Sequence, residues 1–318
     1  MSTDPEILSS SYVPGDPPPT PPPPRPPPPP PPGPVFDTEP YARPRRIPNL
    51  GHTILFFMVA IIVLLLTSVS AFALVMGLHL LGPETPDQLL REPRLLIPSM
   101  AAGYLIAGAI LWAIFTHLWQ EPFPQALHWN FSVVRRRWLR LLAGGVVLSL
   151  VVQFLSNFLP IPKTLPIDDF FRSPADVWMV ALFGTLLAPV CEELAFRGFL
   201  LPSLASAWDW LRGFRRPPDV NFIASDRGVQ YDPRWSIAAL LFSCTVTSIA
   251  FALVHADQLA HAWAPLAVLF AVSLVLCGVR LWTHSLAAST LIHATYNGTI
   301  FTILFFGTGG FRHLDKIT

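Results

Sequence analysis

Charge is the scarcest property of this chain. Only 13% of its 318 residues are Asp, Glu, Lys or Arg, against 52% hydrophobic, and mean hydropathy is +0.48. That balance excludes an ordinary soluble globular protein. A net charge of +1 gives nucleic acid nothing to bind. Cysteine is almost as rare: Cys191, Cys244 and Cys277, an odd number in apolar runs, imply no disulfide framework. Cys191 has no activating motif and reads as a buried thiol. No apolar stretch follows Met1, so a secretory signal peptide is not expected. H-E-x-x-H is also missing, and with it the usual sequence mark of a zinc peptidase helix.

What is abundant is proline, and it is concentrated. Pro17 to Pro34 is broken only by Thr20, Arg25 and Gly33. Such a run forms polyproline II and builds no packed core. Residues 1–51 are therefore expected to be a disordered tail, solvated or docked on a proline-reading partner of the SH3 kind, which Arg25 would favour. Residues 52–318 are expected to be a multipass membrane domain. Seven apolar runs are of spanning length: Thr53–Leu81, Leu95–Trp119, Trp138–Leu159, Asp176–Ala205, Trp235–His255, Trp263–Trp282 and Ser285–Phe306. Tryptophans at several ends suit interfacial anchors. These runs are too long for barrel strands, so the expected fold is an all-α bundle of about seven (six to eight) transmembrane helices in contact with membrane lipids.

Three ionisable residues break the fourth run, in Glu192-Glu193-Leu-Ala-Phe-Arg197. Each costs about 2.5–3.5 kcal/mol at helix-centre depth, so their presence points to a functional site. Glu193 and Arg197, spaced i,i+4, can pair on one helix face. A buried ion pair that locks packing would account for those two and leave Glu192 without a partner. Downstream, Phe251-Ala-Leu-Val-His255 ends the fifth run, and His293-Ala-Thr-Tyr-Asn297 lies in the seventh. Alone, each histidine is more simply a satisfied core residue. Together these groups supply the parts for water attack on an amide. Glu192 would act as base, His255 would hold the water, and His293 with Asn297 would donate to the oxyanion. Glu192, His255 and His293 could equally hold a divalent metal such as zinc, and spacing does not decide between the two.

In that order on separate apolar helices, E-E-x-x-x-R, F-x-x-x-H and H-x-x-x-N resemble the CPBP family of intramembrane proteases. That family includes type II CAAX prenyl endopeptidases and bacteriocin-processing or immunity proteins. The resemblance covers a core at about 176–306. Pro189, Phe196-Arg197-Gly198 and Thr283/Ser285-Leu286 add weaker family texture. It implies that Glu192 activates water, with Glu193 and Arg197 as companions. His255 would be the second-motif histidine, and His293 with Asn297 the oxyanion pair. The implied partner is a peptide or protein substrate, which prenyl processing would make lipidated. A non-catalytic membrane binding or immunity protein on the same fold is the alternative. A proton-coupled transporter also places Glu and His in helices, but no inverted repeat is apparent. The stretch Asp209–Arg234 is longer than a usual connector between the first two motifs, as either a solvated loop or a lid.

Arginines set the expected orientation. A cytoplasmic N-terminus puts Arg43, Arg45, Arg46, Arg135–Arg137, Arg140, Arg212, Arg215, Arg216, Arg227, Arg234 and Arg280 inside. Arg91, Arg94, Lys163, Arg172, Arg312 and Lys316 fall outside, six against thirteen. One depth conflict follows. At 1.5 Å per residue His255 lies about 30 Å along from Trp235, but His293 only about 12 Å from Ser285. Either Trp235–Leu241 lies along the interface, or the fifth helix is broken or tilted. The orientation predicts that a protease removes a tag fused at Met1 only from vesicles exposing the cytoplasmic face. Digestion from the opposite face alone would reverse the topology.

Overall fold

The computed structural model describes residues 48–80, 85–89, 92–162, 164–213, 223–225, 228–230 and 235–314. The proline tail lies outside them, as do Arg91, Lys163, Lys316 and the loop cations Arg215, Arg216, Arg227 and Arg234. Every one of the seven apolar runs is a helix. We number these α1 (Leu50–Leu78), α2 (Pro93–Trp119), α3 (Phe131–Ser156), α4 (Pro174–Leu211), α5 (Ile237–Leu253), α6 (Trp263–Thr283) and α7 (Leu286–Gly307). Five of them, α1 to α4 and α6, are long and apolar enough to cross a membrane. The α5 helix has 17 residues, about 25 Å, and α7 carries the polar groups of the site. Between α4 and α5 the strands Ile223–Ser225 and Gly228–Gln230 pair antiparallel, with Ile223 opposite Gln230. Apart from this short ribbon the described chain is helical, an integral multipass bundle.

Local chemistry sets the helix starts. Asn49 caps α1 through His52 N–H, and Asn130 caps α3 through Ser132 N–H. The second cap draws Arg135, Arg136, Arg137 and Arg140 into the first turns of α3, which begins seven residues before the expected Trp138. They remain exposed there, since long side chains keep a charge in water while their stems run along the helix. Arg280, counted above as a loop charge, is instead buried near the end of α6. It donates to Leu127 O at 3.4 Å.

One of the options for the depth conflict is removed. The α5 helix is unbroken from Ile237 to Leu253, so a break is not found. Its N-cap, Ser236, gives its backbone N–H and its hydroxyl to Asp209, at 3.1 and 2.5 Å, and Trp235 Nε1 donates to Ser206. The start of α5 is thus moored beside the end of α4. With 38 residues, about 57 Å, α4 far exceeds a hydrocarbon core of about 30 Å.

Close backbone approach carries the packing that matters for the site. Lipid tails are as apolar as leucine, so helices associate through small residues and close contacts. A Cβ on Gly145 of α3 would lie 2.6 Å from Thr295 Cβ and 2.8 Å from Ile292 O of α7. The α6–α7 turn is pinned to the loop before α3: Leu286 N–H donates to His128 O and Ser285 Oγ to Asn130 O, both at 3.0 Å. On the other side, Phe199 of α4 sits among Phe56, Phe115, Trp119 and Phe123, with ring centroids 4.4–6.2 Å away. Replacing Gly145 by Ala is expected to destabilise the protein by about 1–3 kcal/mol through overpacking. Gly144→Ala, whose Cβ would meet only Ile292 Cδ1 at 3.7 Å, should be near neutral. Thermal unfolding in detergent compares them, and equal midpoints would remove α3–α7 proximity as a constraint.

Candidate active site

Proline shapes the helix that carries the two glutamates. Two stretches of α4, Phe183–Leu187 and Leu194–Leu200, adopt π-helical winding on either side of Ala188–Glu193. Ala188 N–H bonds Phe183 O and Leu201 N–H bonds Phe196 O, both i→i−5. Each stretch closes on the residue just before a proline, Pro189 or Pro202. A proline has no N–H to give, and its ring crowds the carbonyl of the preceding turn, which a wider turn relieves. In the i→i−5 register Pro189 leaves Gly184 O unpaired, and Asn297 Nδ2 fills that vacancy at 2.7 Å. So the amide on α7 is tied to the distortion in α4.

Glu193 and Arg197 pair as expected, and both are fully buried. Arg197 Nη1 donates to Glu193 Oε1 at 3.0 Å, while Nη2 donates to Ser273 O at 3.0 Å and Oγ at 2.7 Å on α6. The guanidinium carbon stands 4.8 Å from the centroid of the Phe251 ring, a cation–π contact reaching α5. Glu193 Oε1 also accepts from His293 Nδ1, 3.1 Å away. One ion pair therefore touches α4, α5, α6 and α7.

Glu192 faces the other way. Its Oε2 lies 3.6 Å from His293 Nε2 and its Oε1 3.9 Å from His255 Nε2. These gaps exceed a direct hydrogen bond, yet one water can touch the carboxylate and an imidazole at once. Both rings are held by their other nitrogen. His255 sits just past the last turn of α5, where carbonyls lack helical partners, and its Nδ1 lies 2.8 Å from Phe251 O. A carbonyl only accepts, so that nitrogen carries a proton and Nε2 is the atom turned toward Glu192. The Nδ1 of His293 likewise donates to Glu193. All four groups Glu192, His255, His293 and Asn297 line one cavity of about 1010 Å³, whose remaining wall is mostly apolar.

The metal alternative can be set against this arrangement. Among the described residues no group of three or more His, Cys, Asp or Glu side chains is placed to hold a metal ion. Glu192, His255 and His293 meet as a carboxylate with two flanking imidazoles, at 3.9 and 3.6 Å.

Residues 174–299 match the family model of type II CAAX prenyl endopeptidase Rce1-like proteins. The chain carries an Rce1-like domain. That family is one of proteases, so the domain is a protease domain acting on a peptide or protein. No curated protein and no solved structure matches the chain. The Rce1-like domain begins at the start of α4 and ends within α7, so it contains each of the six residues singled out from the sequence.

Sequence reasoning did not find Ser273, Gly184 or Tyr104. A serine within the apolar α6 was the available signal for the first, and Pro189 for the second. Tyr104, on α2 and outside the Rce1-like domain, lines the same cavity as Glu192. Because Glu193 and Arg197 are buried together, Arg197→Met should cost about 3–5 kcal/mol by stranding the carboxylate. The double variant Glu193→Gln/Arg197→Met should recover much of that loss in denaturant unfolding in detergent. A single variant as stable as the parent would deny the pair its structural role.

Proposed function

We propose that this protein is an intramembrane endopeptidase that hydrolyses peptide bonds with Glu192 as general base. The observation that carries this reading is Glu192 standing between two imidazoles whose Nδ1 atoms are already engaged, on the wall of an apolar chamber. A water bridging Glu192 and His255 Nε2 gives its proton to Glu192 while its oxygen adds to the carbonyl carbon. The carbonyl oxygen becomes an oxyanion, stabilised by the uncommitted N–H of Asn297 and by His293 Nε2 when that ring holds a second proton. Fixed donors in a water-poor site are worth most at this step. Glu192 then passes its proton to the amide nitrogen, the C–N bond breaks, and a carboxylic acid and an amine leave, the acid's remaining proton passing to the amine. Glu193 and Arg197 position His293 and touch no reacting atom. Water activation in this reading belongs to Glu192, and a chelator is expected to leave the rate unchanged.

The family description supports a finer assignment, removal of a C-terminal peptide after a lipidated cysteine. The chamber supports it too: about 1010 Å³ lies at the upper end of ligand sites, roughly 300–1,000 Å³, with room for a peptide segment and an apolar chain. We place the N-terminus in the cytoplasm. With Arg280 buried, twelve inner cations still outnumber the six outer ones. Residues 1–51 remain in this reading a solvated tail that a proline-reading partner could grip, ahead of a membrane domain at 52–318.

The test is cleavage by purified protein in liposomes, read by mass spectrometry, on a pool of farnesylated and unmodified CAAX peptides. Glu192→Gln is expected to lower kcat by about 10²–10⁴-fold, the usual contribution of a general base. Cuts confined to the bond after the modified cysteine would fix the substrate class. Folded parent and variant that are equally silent across the pool would favour the binding or immunity reading.

A further inference from the structure

The Rce1-like match begins at residue 174, yet the chamber takes part of its wall from α1 and α2. Most of that wall is apolar. Tyr104 of α2 is the exception: it lines the chamber with a phenolic hydroxyl and lies within electrostatic range of Glu192. Its ring stacks on Phe183 with centroids 5.6 Å apart and planes 27° apart, where the first π stretch of α4 starts. The hydroxyl makes no hydrogen bond to another described residue. The residue is only partly buried and its hydroxyl is open to the chamber.

The donors expected from the sequence are partly spent. One Asn297 N–H is given to Gly184 O, and His293 Nδ1 is given to Glu193. A tetrahedral intermediate formed beside Glu192 thus has at most one N–H from each of these two residues. We propose that Tyr104 is a further catalytic residue, its hydroxyl donating to the oxyanion from the chamber wall. The inference rests on the endopeptidase reading above. It deepens that reading by giving α2, outside the matched domain, a contact with the reacting atoms. The stack on Phe183 restrains the ring before substrate arrives.

Tyr104→Phe keeps the ring and its stack and deletes only the donor. In the liposome assay it is expected to lower kcat by about 10²-fold, the loss seen for one oxyanion donor, with KM little changed. Its unfolding midpoint should match the parent, which separates lost catalysis from lost structure. A kcat equal to the parent's, or a defect confined to KM, would overturn the assignment. Glu192→Gln is measured alongside. A slow Glu192→Gln protein beside an unimpaired Tyr104→Phe protein removes Tyr104 alone. A Glu192→Gln protein as fast as the parent, or a parent that cuts nothing, removes the endopeptidase reading and this inference with it.

Discussion

The site depends on one buried ion pair. Taking Glu193 and Arg197 out of water costs several kcal/mol per ion, and their mutual attraction repays it only with good geometry and further hydrogen bonds. Neighbours on other helices supply such bonds: Ser273 takes two from the guanidinium, and His293 gives one to the carboxylate. Those bonds position α6 and α7 against α4. They also settle which nitrogen of His293 is engaged and which is turned to Glu192. The pair that fails to explain Glu192 thereby builds the surroundings in which Glu192 can work.

A second dependence runs through the backbone. Wide turns ahead of Pro189 and Pro202 bracket the diglutamate, and the carbonyl left over at Gly184 is satisfied by Asn297. Buried backbone groups are paired almost without exception, so a freed carbonyl in a membrane helix demands a donor from a neighbour. Here the donor is itself part of the site. Asn297 therefore has a structural duty in addition to the chemical one proposed for it.

Much of this was legible in the sequence because membranes penalise polarity so heavily. All seven apolar runs are helices, and the six polar intrusions within them lie at one locus, with Glu193 and Arg197 behind it. What was not legible is telling. Periodicity says nothing about winding, so the π turns were invisible although Pro189 was in plain view. The start of α3 was missed because four arginines look like a loop until Asn130 is seen capping a helix ahead of them. Arg280 looked like a loop charge because it stands three residues before the end of α6, where a bond to Leu127 O buries it. Tyr104 gave no signal, since one tyrosine in an apolar run is ordinary until the chamber is in view.

The wide turns have one more consequence, for how such a helix tolerates change. A π stretch accommodates what is in effect one extra residue, and each residue rotates an α-helix by about 100°. The six-residue turn Ala188–Glu193 is thus phased independently of both flanks of α4. Removing a residue from either flank could be absorbed by tightening the nearer stretch, leaving Glu192 aimed as before. The two stretches behave as rotary joints, letting the ends of α4 drift in sequence while the turn that carries the diglutamate keeps its bearing.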